Sequence, residues 1–211
     1  MKKKIDWLNH GLEFFVVIIG ILIAFQLNTC SETKKRDKIL ASHKEFLNVE
    51  TRDNYASLQY AQKAVANSLG IIDSLLQALE QQEDVNKIYK LAMKLIGDSG
   101  YFYVRKDAYN TLTDSGDIRF LDFEEKKSII TLYGYYDWTE AVQSRAFTGF
   151  DDYFKLLQSR MNIYGNEIPD IEVFTSREFG NAVGYYRYLL SSKQRKYKDC
   201  AEVIEKFMNS N

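Results

Sequence analysis

Residues 12–27 read LEFFVVIIGILIAFQL, and no other part of the 211-residue chain is as rich in apolar side chains. Extending the run back to Trp7 gives 21 residues from Trp7 to Leu27. As a helix they span about 31 Å, close to the thickness of the hydrocarbon core of a bilayer. A backbone that crosses lipid has to satisfy its own amide groups, so the segment is predicted to be helical. The stretch therefore predicts one transmembrane helix near the amino terminus.

The flanks of this run predict its orientation. Trp7 stands where interfacial aromatic residues are typical, and the basic residues Lys2, Lys3 and Lys4 lie just outside it. Basic residues also follow the run from position 34 onward, so the charge on the two sides is nearly balanced. An uncleaved anchor with basic residues first usually inserts with its amino terminus in the cytoplasm. We therefore predict that residues 33–211 lie outside the cytoplasm.

Two other interpretations of the apolar run are weighed against a span. A cleaved secretory signal needs a shorter apolar region and small residues before the cut, which are missing here. A lipoprotein signal would use Cys30, which follows the run directly, although Asn28 and Thr29 occupy positions where small residues are normal. We favour the span and keep a lipid anchor at Cys30 as the alternative.

A carboxylate inside the apolar run suggests a helix-packing face in the membrane. At 100° per residue, one side of the helix carries Glu13, Val17, Gly20 and Ala24. Small residues four positions apart allow a second helix to approach closely, and Glu13 would then hydrogen-bond across the seam. The other interpretation, which we prefer, is that Glu13 simply reaches the headgroups, because it is within about 9 Å of Trp7 along the helix.

The composition limits the class of protein. The formal net charge is −1, and it remains −1 when residues 1–32 are removed, so no basic field exists to attract nucleic acid. With one proline and 14% aromatic residues, the rest of the chain is predicted to be a well-packed helical domain. The two cysteines, Cys30 and Cys200, are predicted to be free thiols.

The predicted fold is all-α, with the transmembrane helix continuing into a stalk and an irregular antiparallel helical bundle. The predicted segments are a short basic tail (1–6), a transmembrane helix (7–28), a juxtamembrane helix or stalk (29–57) and a bundle domain (58–211). Residues 33–66 contain no proline or glycine, and we expect Gly70 to break or kink the helix that contains them.

Within the bundle, capping residues mark predicted helix starts. Asp84 caps one helix, Asp122 with Glu125 forms a capping box, and Thr175 with Glu178 forms another. Between these starts, residues 101–104 are expected to be a packed connector rather than a strand. Residues 129–164 are expected to be helical, with a bend or break at Gly134 or Gly149, and residues 165–174 to form a loop. The last helix is predicted from apolar residues at 3- and 4-residue steps: Phe179, Val183, Tyr186, Leu190, Tyr197, Cys200, Ile204 and Phe207.

Four features together resemble an uncharacterised family of small bacterial single-span envelope proteins. They are the apolar run ending in Gln26-x-Asn28, Glu13 before that run, the charged helix from Glu32, and the block that begins Tyr109-x2-Leu112-x2-Ser115-Gly116. The resemblance covers about the first 60 residues and roughly residues 105–140. It implies a single-span protein of the bacterial envelope with a helical extramembrane domain of unknown function. Together with the orientation predicted above, this places the anchor in the inner membrane and residues 33–211 in the periplasm. The resemblance implies no activity.

No catalytic pattern stands out in the sequence. The two histidines, His10 and His43, lack companions at metal-ligand spacing, and no zinc, P-loop or dinucleotide motif occurs. The carboxylates are interpreted as helix caps or solvated faces. We therefore predict a protein that is not an enzyme and needs no metal or cofactor.

Two aromatic clusters are the remaining candidates for a functional surface. Both place aromatic residues all round their predicted helices, which suits a protein-binding patch or a ligand groove. The candidate patch consists of Tyr133, Tyr135, Tyr136, Trp138, Tyr185, Arg187 and Tyr188. The alternative, which we prefer, is that tyrosines fill the core with their hydroxyls reaching water.

We therefore predict a membrane-anchored interaction or scaffold module. Its partners would be the bilayer and either another protein or a second copy, reached through the transmembrane helix or the aromatic patch. The alternative is a sensory or ligand-binding subunit that works through a membrane partner, since the predicted six-residue tail carries no output domain.

Overall fold

The structure, a computed structural model, describes residues 7–96, 100–158 and 172–210. About 90% of these residues are helical, and no strand occurs among them, which confirms the predicted all-α class. The helices are α1 (Trp7–Glu80), α2 (Val85–Lys94), α3 (Asp107–Asp114), α4 (Phe123–Gln158), α5 (Glu172–Thr175) and α6 (Arg177–Ser210), with a 3-10 turn at Asp117–Phe120.

The chain forms two compact units, Met1–Phe46 and Leu47–Asn211. In the first unit, every large apolar side chain from Leu12 to Leu27 except Ile18 is more than half exposed. Among the described helices, α1 is the one whose length and composition suit a membrane crossing, with a mean hydropathy of 2.1 and no buried residue in its most apolar window. A signal sequence near an amino terminus meets the same criteria.

The second unit is a bundle built on α1, α4 and α6. The contacts Tyr153–Phe179 and Trp138–Lys196 show that α4 and α6 are antiparallel, because residue numbers rise on one helix as they fall on the other. Apolar residues on one stripe of α1 enter this core, beginning with Leu47 and continuing through Leu58 and Leu75. Burial begins at Leu47, inside the segment predicted as the stalk.

Glycines do not interrupt the long helices as the sequence suggested. Gly70 lies within α1 and Gly134 and Gly149 lie within α4, so a helix break at any of the three is wrong. A kink or bend at these positions stays a prediction. Gly70 and Gly134 face open space, where a helix loses only local propensity. Gly149 is buried against Leu189 of α6, where packing compensates for that loss.

Two of the three predicted caps are present as expected. The Asp84 carboxylate accepts the Asn86 amide at 2.9 Å, and the Asp122 carboxylate accepts the Glu125 amide at 2.8 Å. The prediction for the last helix is wrong by one residue. Thr175 ends α5, and the Ser176 hydroxyl accepts the Phe179 amide at 3.2 Å, because α6 starts at Arg177. The predicted end at 164 and most of the loop 165–174 lie outside the described residues.

The segment of residues 100–106, called the connector below, runs back along α1 in extended form. Gly100 lies against Ala61 and Val65, and Arg105 lies against Asn54. Helix α3 then begins beside Glu50. Fifteen helical residues rise about 22 Å, and eight residues must cover that distance, which only an extended chain does. The prediction of a packed connector rather than a strand is confirmed.

Candidate functional site

Two buried side-chain amides form hydrogen bonds with the backbone of the connector. They supply the partners that a neighbouring strand would supply in a sheet. The Asn54 amide group donates to the Arg105 carbonyl at 2.8 Å and accepts the Arg105 amide at 2.9 Å. Gln143 of α4 makes the same pair of bonds with Phe102, accepting its amide at 2.8 Å and donating to its carbonyl at 3.2 Å. Buried backbone polar groups need partners, and these two residues supply them from opposite sides.

Ion pairs at the end of the connector add to this attachment. The Arg105 guanidinium lies 3.1 Å from the Asp53 carboxylate, and the Lys106 ammonium lies 2.7 Å from Asp137 and 2.5 Å from Glu140. Burial alone lowers the pKa of Lys106, but its hydrogen bonds with these two carboxylates outweigh that effect and raise it. Lys106 is therefore a cation under all ordinary conditions.

Glu50 is the one buried carboxylate among the described residues, and its oxygens serve the fold. One oxygen accepts the Ala108 amide at 2.8 Å, at the second residue of α3, where a negative charge also suits the helix dipole. The other accepts the Tyr133 hydroxyl at 2.5 Å. Burial, followed by this hydrogen bond, raises the pKa of Tyr133, so that the phenol stays protonated.

Tyrosines fill much of the core, as the preferred interpretation held, but the hydroxyls of Tyr133, Tyr153 and Tyr197 bond to protein groups rather than reach out to water. The Tyr153 hydroxyl donates to the Ala92 carbonyl at 3.0 Å and so binds the end of α2. The Tyr197 hydroxyl lies 2.9 Å from the Gly100 carbonyl and 2.5 Å from the Gln143 side-chain oxygen. Buried tyrosines therefore tie the bundle helices to α2 and to the connector.

The residues of the predicted aromatic patch do not share one surface. Tyr133 and Tyr136 are buried in the core at 3% and 0% exposure, so they are removed from any exposed patch. They belong to the same buried stripe of α4 as Leu132 and Gln143. Arg187 is exposed but faces α1, where its guanidinium pairs with the Asp73 carboxylate.

The other four residues lie along one side of the α4–α6 pair. We call Tyr135, Trp138, Tyr185 and Tyr188 the aromatic edge. Trp138 is 53% exposed, Tyr185 55% and Tyr188 62%, while Tyr135 is half-buried. On α6, Tyr185, Tyr188 and Lys196 fall within about 80° of one another, and Trp138 contacts Lys196. The edge therefore consists of a Tyr135–Trp138 pair on α4 and, further along the same side, Tyr185 and Tyr188 on α6, rather than a single cluster.

A cation stacked on tryptophan anchors the α4 part of this edge. The Lys196 ammonium lies 3.1 Å from the centre of the Trp138 ring and 5.6 Å from that of Tyr135. It also pairs with the Asp199 carboxylate at 2.8 Å. The Lys196 side chain is only 10% exposed, so the contact is largely desolvated and stronger than at an open surface. The contact favours this orientation of the Trp138 ring.

An open groove of about 480 Å³ lies beside the aromatic edge, between the first half of α4 and the end of α6. Tyr135 belongs both to the edge and to the groove wall. The wall of the groove opposite Tyr135 is formed by Val203, Lys206 and Phe207 of α6. The volume falls in the range of small-molecule sites.

The predicted membrane face is exposed along the first unit. Val17, Gly20 and Ala24 are exposed, and a Cβ atom added at Gly20 would meet nothing within 4 Å. Glu13 is exposed too. Lys2, Lys3 and Lys4 lie outside the described residues, and Trp7 is the first residue of α1. Cys30 is exposed and Cys200 is buried, and no disulfide joins them in the part of the chain that the structure describes. That both are free thiols stays a prediction.

Sequence reasoning missed the polar residues that hold the connector, although a signal for them exists. The buried stripe of α1 continues upstream from Leu58 at 3- and 4-residue steps through Asn54, Thr51 and Glu50 to Leu47. Polar residues on an apolar stripe indicate buried hydrogen-bonding groups. Gln143 lies in the same way on the buried stripe of α4.

Comparison with protein families places this architecture among related sequences. The family described as "Family of unknown function (DUF6090)" matches residues 13–146, which is 134 of the 211 residues. The match runs from Glu13 to Ala146 and includes Glu50, Asn54 and Gln143. No curated protein and no solved structure gives a significant match.

Proposed function

The chain belongs to the family of unknown function DUF6090, and on that premise we propose that it is a membrane-anchored helical interaction module of the bacterial cell envelope, without catalytic activity. The observation that carries the proposal is the exposed apolar surface of α1 between Leu12 and Leu27, which no described residue covers. Such a surface is stable in a bilayer and costly in water.

Several features support an uncleaved span over the alternatives. Helix α1 continues without interruption to Glu80, so cleavage after the apolar run, or lipidation at Cys30, would cut through a continuous helix. Beyond the run, the Asn28 side chain donates to Glu32 at 3.0 Å, which is typical of a helix that has returned to water. In our proposal the span is residues 7–28, with the amino terminus in the cytoplasm and the bundle in the periplasm.

Protease accessibility tests this arrangement. Cells expressing the full chain are treated with protease when intact, after opening the outer membrane and after breaking the inner membrane, and the mass of the anchored species is measured. We expect cleavage of the bundle once the outer membrane is open, from a species of full-length mass. Protection until the inner membrane is broken would overturn the orientation. A lipidated fragment starting at Cys30 would overturn the span.

The aromatic edge supports the interaction role. Exposed tryptophan and tyrosine held on rigid helices supply contact area at low entropic cost and are common at the centres of interfaces. A photo-crosslinking residue placed at Tyr188 in intact cells should give discrete protein adducts. The same residue at Tyr60, which is 65% exposed on α1, is the matched control. Equal patterns at both positions, or no adduct at Tyr188, would contradict a role for the edge.

The face formed by Glu13, Val17, Gly20 and Ala24 is the proposed route to a membrane partner or a second copy. Replacing Gly20 and Ala24 with leucine puts bulk on this face, so crosslinking between spans within the membrane should fall. The control is the double variant Ile18→Leu/Leu22→Ile, which changes side chains on the opposite side of the helix. Unchanged crosslinking in the Gly20→Leu/Ala24→Leu chain would exclude the face.

A ligand-binding role is the second candidate, and the groove between α4 and α6 favours it. A concave site of about 480 Å³ suits a small molecule better than a flat protein surface. The groove is lined by residues of both α4 and α6, so a bound ligand would contact both helices.

A further inference from the structure

Short side chains line part of the groove between α4 and α6. Near the middle of the pair, Gly149 packs on Leu189, and the Phe150 and Tyr186 rings lie 5.7 Å apart. Towards the start of α4, the facing residues are Ser128 and Thr131, which are too short to fill the space opposite α6. The cavity is therefore built into the sequence of the two helices.

The groove combines an apolar base with polar walls. Phe207 is 4% exposed and forms part of the lining together with Val203 and the Tyr135 ring. Tyr135 bounds one end, where its ring lies 5.8 Å from that of Trp138. An apolar chain lying here would cover carbon surface, worth about 25 cal/mol for each Å² removed from water.

Two lysines on opposite walls give the groove its positive character. Lys127 comes from α4 and Lys206 from α6. Lys127 has one exposed partner in the lining, the Glu124 carboxylate at 3.7 Å, and such a surface pair contributes little. Lys206 forms no ion pair with any residue that the structure describes. The lining therefore contains two lysines and one glutamate, and the ammonium of Lys206 has no carboxylate partner among the described residues that line the groove.

We propose that this groove binds a single-chain acidic amphiphile, with its acidic group between Lys127 and Lys206 and its apolar chain over Val203 and Phe207. The inference rests on the ligand-binding form of the proposed function and names its ligand class. Lys196 takes no part in binding the acid, because its ammonium is committed to Asp199 and to the Trp138 ring. Trp138 instead reports occupancy, since it contacts the Tyr135 ring at the end of the groove.

The experiment titrates the full chain with octyl phosphate, octanol and inorganic phosphate. The chain is held in nanodiscs of zwitterionic lipid, with empty discs as the blank. It has only two tryptophans, so Trp7→Phe leaves Trp138 as the sole tryptophan, which is excited selectively at the long-wavelength edge where tyrosine does not absorb. We expect saturable changes in its emission with octyl phosphate, at concentrations at least about tenfold lower than with octanol or phosphate, because only octyl phosphate uses both the lysines and the apolar base.

Matched variants locate the binding site. Lys206→Glu should weaken octyl phosphate binding about tenfold or more, whereas Lys198→Glu, an equal charge change at an exposed position of α6 outside the groove, should leave it within about twofold. Val203→Trp should fill the groove and abolish binding while circular dichroism remains unchanged. Since Val203→Trp adds a fluorophore, its binding is measured by calorimetry.

Three outcomes would overturn the proposal. If octanol binds as tightly as octyl phosphate, the groove does not recognise the acidic group. If inorganic phosphate binds as tightly, the groove does not recognise the apolar chain. If octyl phosphate still binds to Lys206→Glu and Val203→Trp, or binds to no form of the chain, the groove is not its binding site. None of these results bears on the crosslinking at Tyr188 or on the protease test, so this inference can fail while the interaction module stands.

Discussion

Gly100 is the residue whose backbone tolerates a side chain least. Its φ of +65° is in the left-handed region, and a Cβ atom there would lie 2.5 Å from the Ala61 carbonyl oxygen and 2.9 Å from the Val65 amide nitrogen. Both neighbours are backbone atoms of α1 and cannot move aside. Gly116 has a similar φ of +74° but faces open space, which makes it a natural comparison.

We expect Gly100→Ala to destabilise the bundle by more than Gly116→Ala. The left-handed conformation costs a residue with a Cβ roughly 1–2 kcal/mol, and the collision at Gly100 adds roughly 1–3 kcal/mol. Gly134→Ala, at an exposed helical position, should instead stabilise the fold by up to about 1 kcal/mol. Urea unfolding followed by circular dichroism measures all three, and equal losses for the two left-handed glycines would contradict the close approach.

The two thiols should differ sharply in reactivity. Burial raises the pKa of the Cys200 thiol to about 11, so at pH 8 only roughly one thiol in a thousand is the reactive thiolate. Cys30 is exposed. A colorimetric thiol assay should therefore count one fast thiol in the folded chain and two after denaturation. In Cys30→Ser the fast phase should vanish, and a persistent one would mean that Cys200 is accessible.

At the scale of single residues, the spacing of apolar residues predicted which side chains are buried, but it did not predict their hydrogen-bond partners. Cys200 lies on a stripe whose spacing predicts burial, and it is buried. Tyr133 and Tyr136 also lie on such a stripe, but the density of aromatic residues around them obscured it. Glu50 was not identified, since its partner Tyr133 is 83 positions away and no local pattern connects them.

Among the elements, the connector depends most on side chains from elsewhere. Gln143→Leu removes the partners of both polar groups of Phe102 while keeping the volume nearly constant. Each unsatisfied buried group costs roughly 1–3 kcal/mol, so we expect a loss of at least about 2 kcal/mol in unfolding free energy. Gln77→Leu, on an exposed position of α1, is the control and should change stability by less than about 0.5 kcal/mol. A similar small change at Gln143 would show that water replaces the amide.

Helices were predictable from the sequence where a long stripe defined them. The α6 stripe from Phe179 to Phe207 is buried as its spacing predicts. The start of α6 was misplaced because Thr175 and Ser176 are both good caps, and the short helix α5 takes up Thr175. The course of the connector could not be read from the sequence, since Asn54 and Gln143 pair with residues 51 and 41 positions away.

For the whole molecule, the buried tyrosines predict a loss of stability in alkali. Burial raises the pKa of Tyr186 from the ordinary 10.0 to about 12, and it also raises the pKa of Tyr153 and of Tyr136. Above pH 10 the unfolded chain releases protons that the folded chain retains, so stability is full below pH 10 and falls as the pH rises towards 12.

The expected slope is roughly 1.4 kcal/mol per pH unit for each such tyrosine. Urea unfolding at intervals between pH 8 and 11, with tyrosinate absorbance as a second signal, measures it. Tyr153→Phe removes one titrating group, so the slope of stability against pH should fall by the contribution of one tyrosine. The variant also loses the hydrogen bond to the Ala92 carbonyl. A stability that stays flat above pH 10 would contradict the burial of these phenols.

The connector also limits how the length of this protein can change. The seven residues of the connector, together with Asp107 at the start of α3, span the same distance as about fifteen residues of α1. Both ends are fixed, by Gly100 against Ala61 and by Glu50 at the start of α3. Because an extended chain spans at most about 3.3–3.6 Å per residue, a deletion of two or more residues there would leave the chain too short to reach. An insertion would shift Phe102 and Arg105 relative to the two amides that bind them. Lengthening or shortening is therefore expected in the turn between α1 and α2 rather than here, and relatives that align through this region should keep its residue count unchanged.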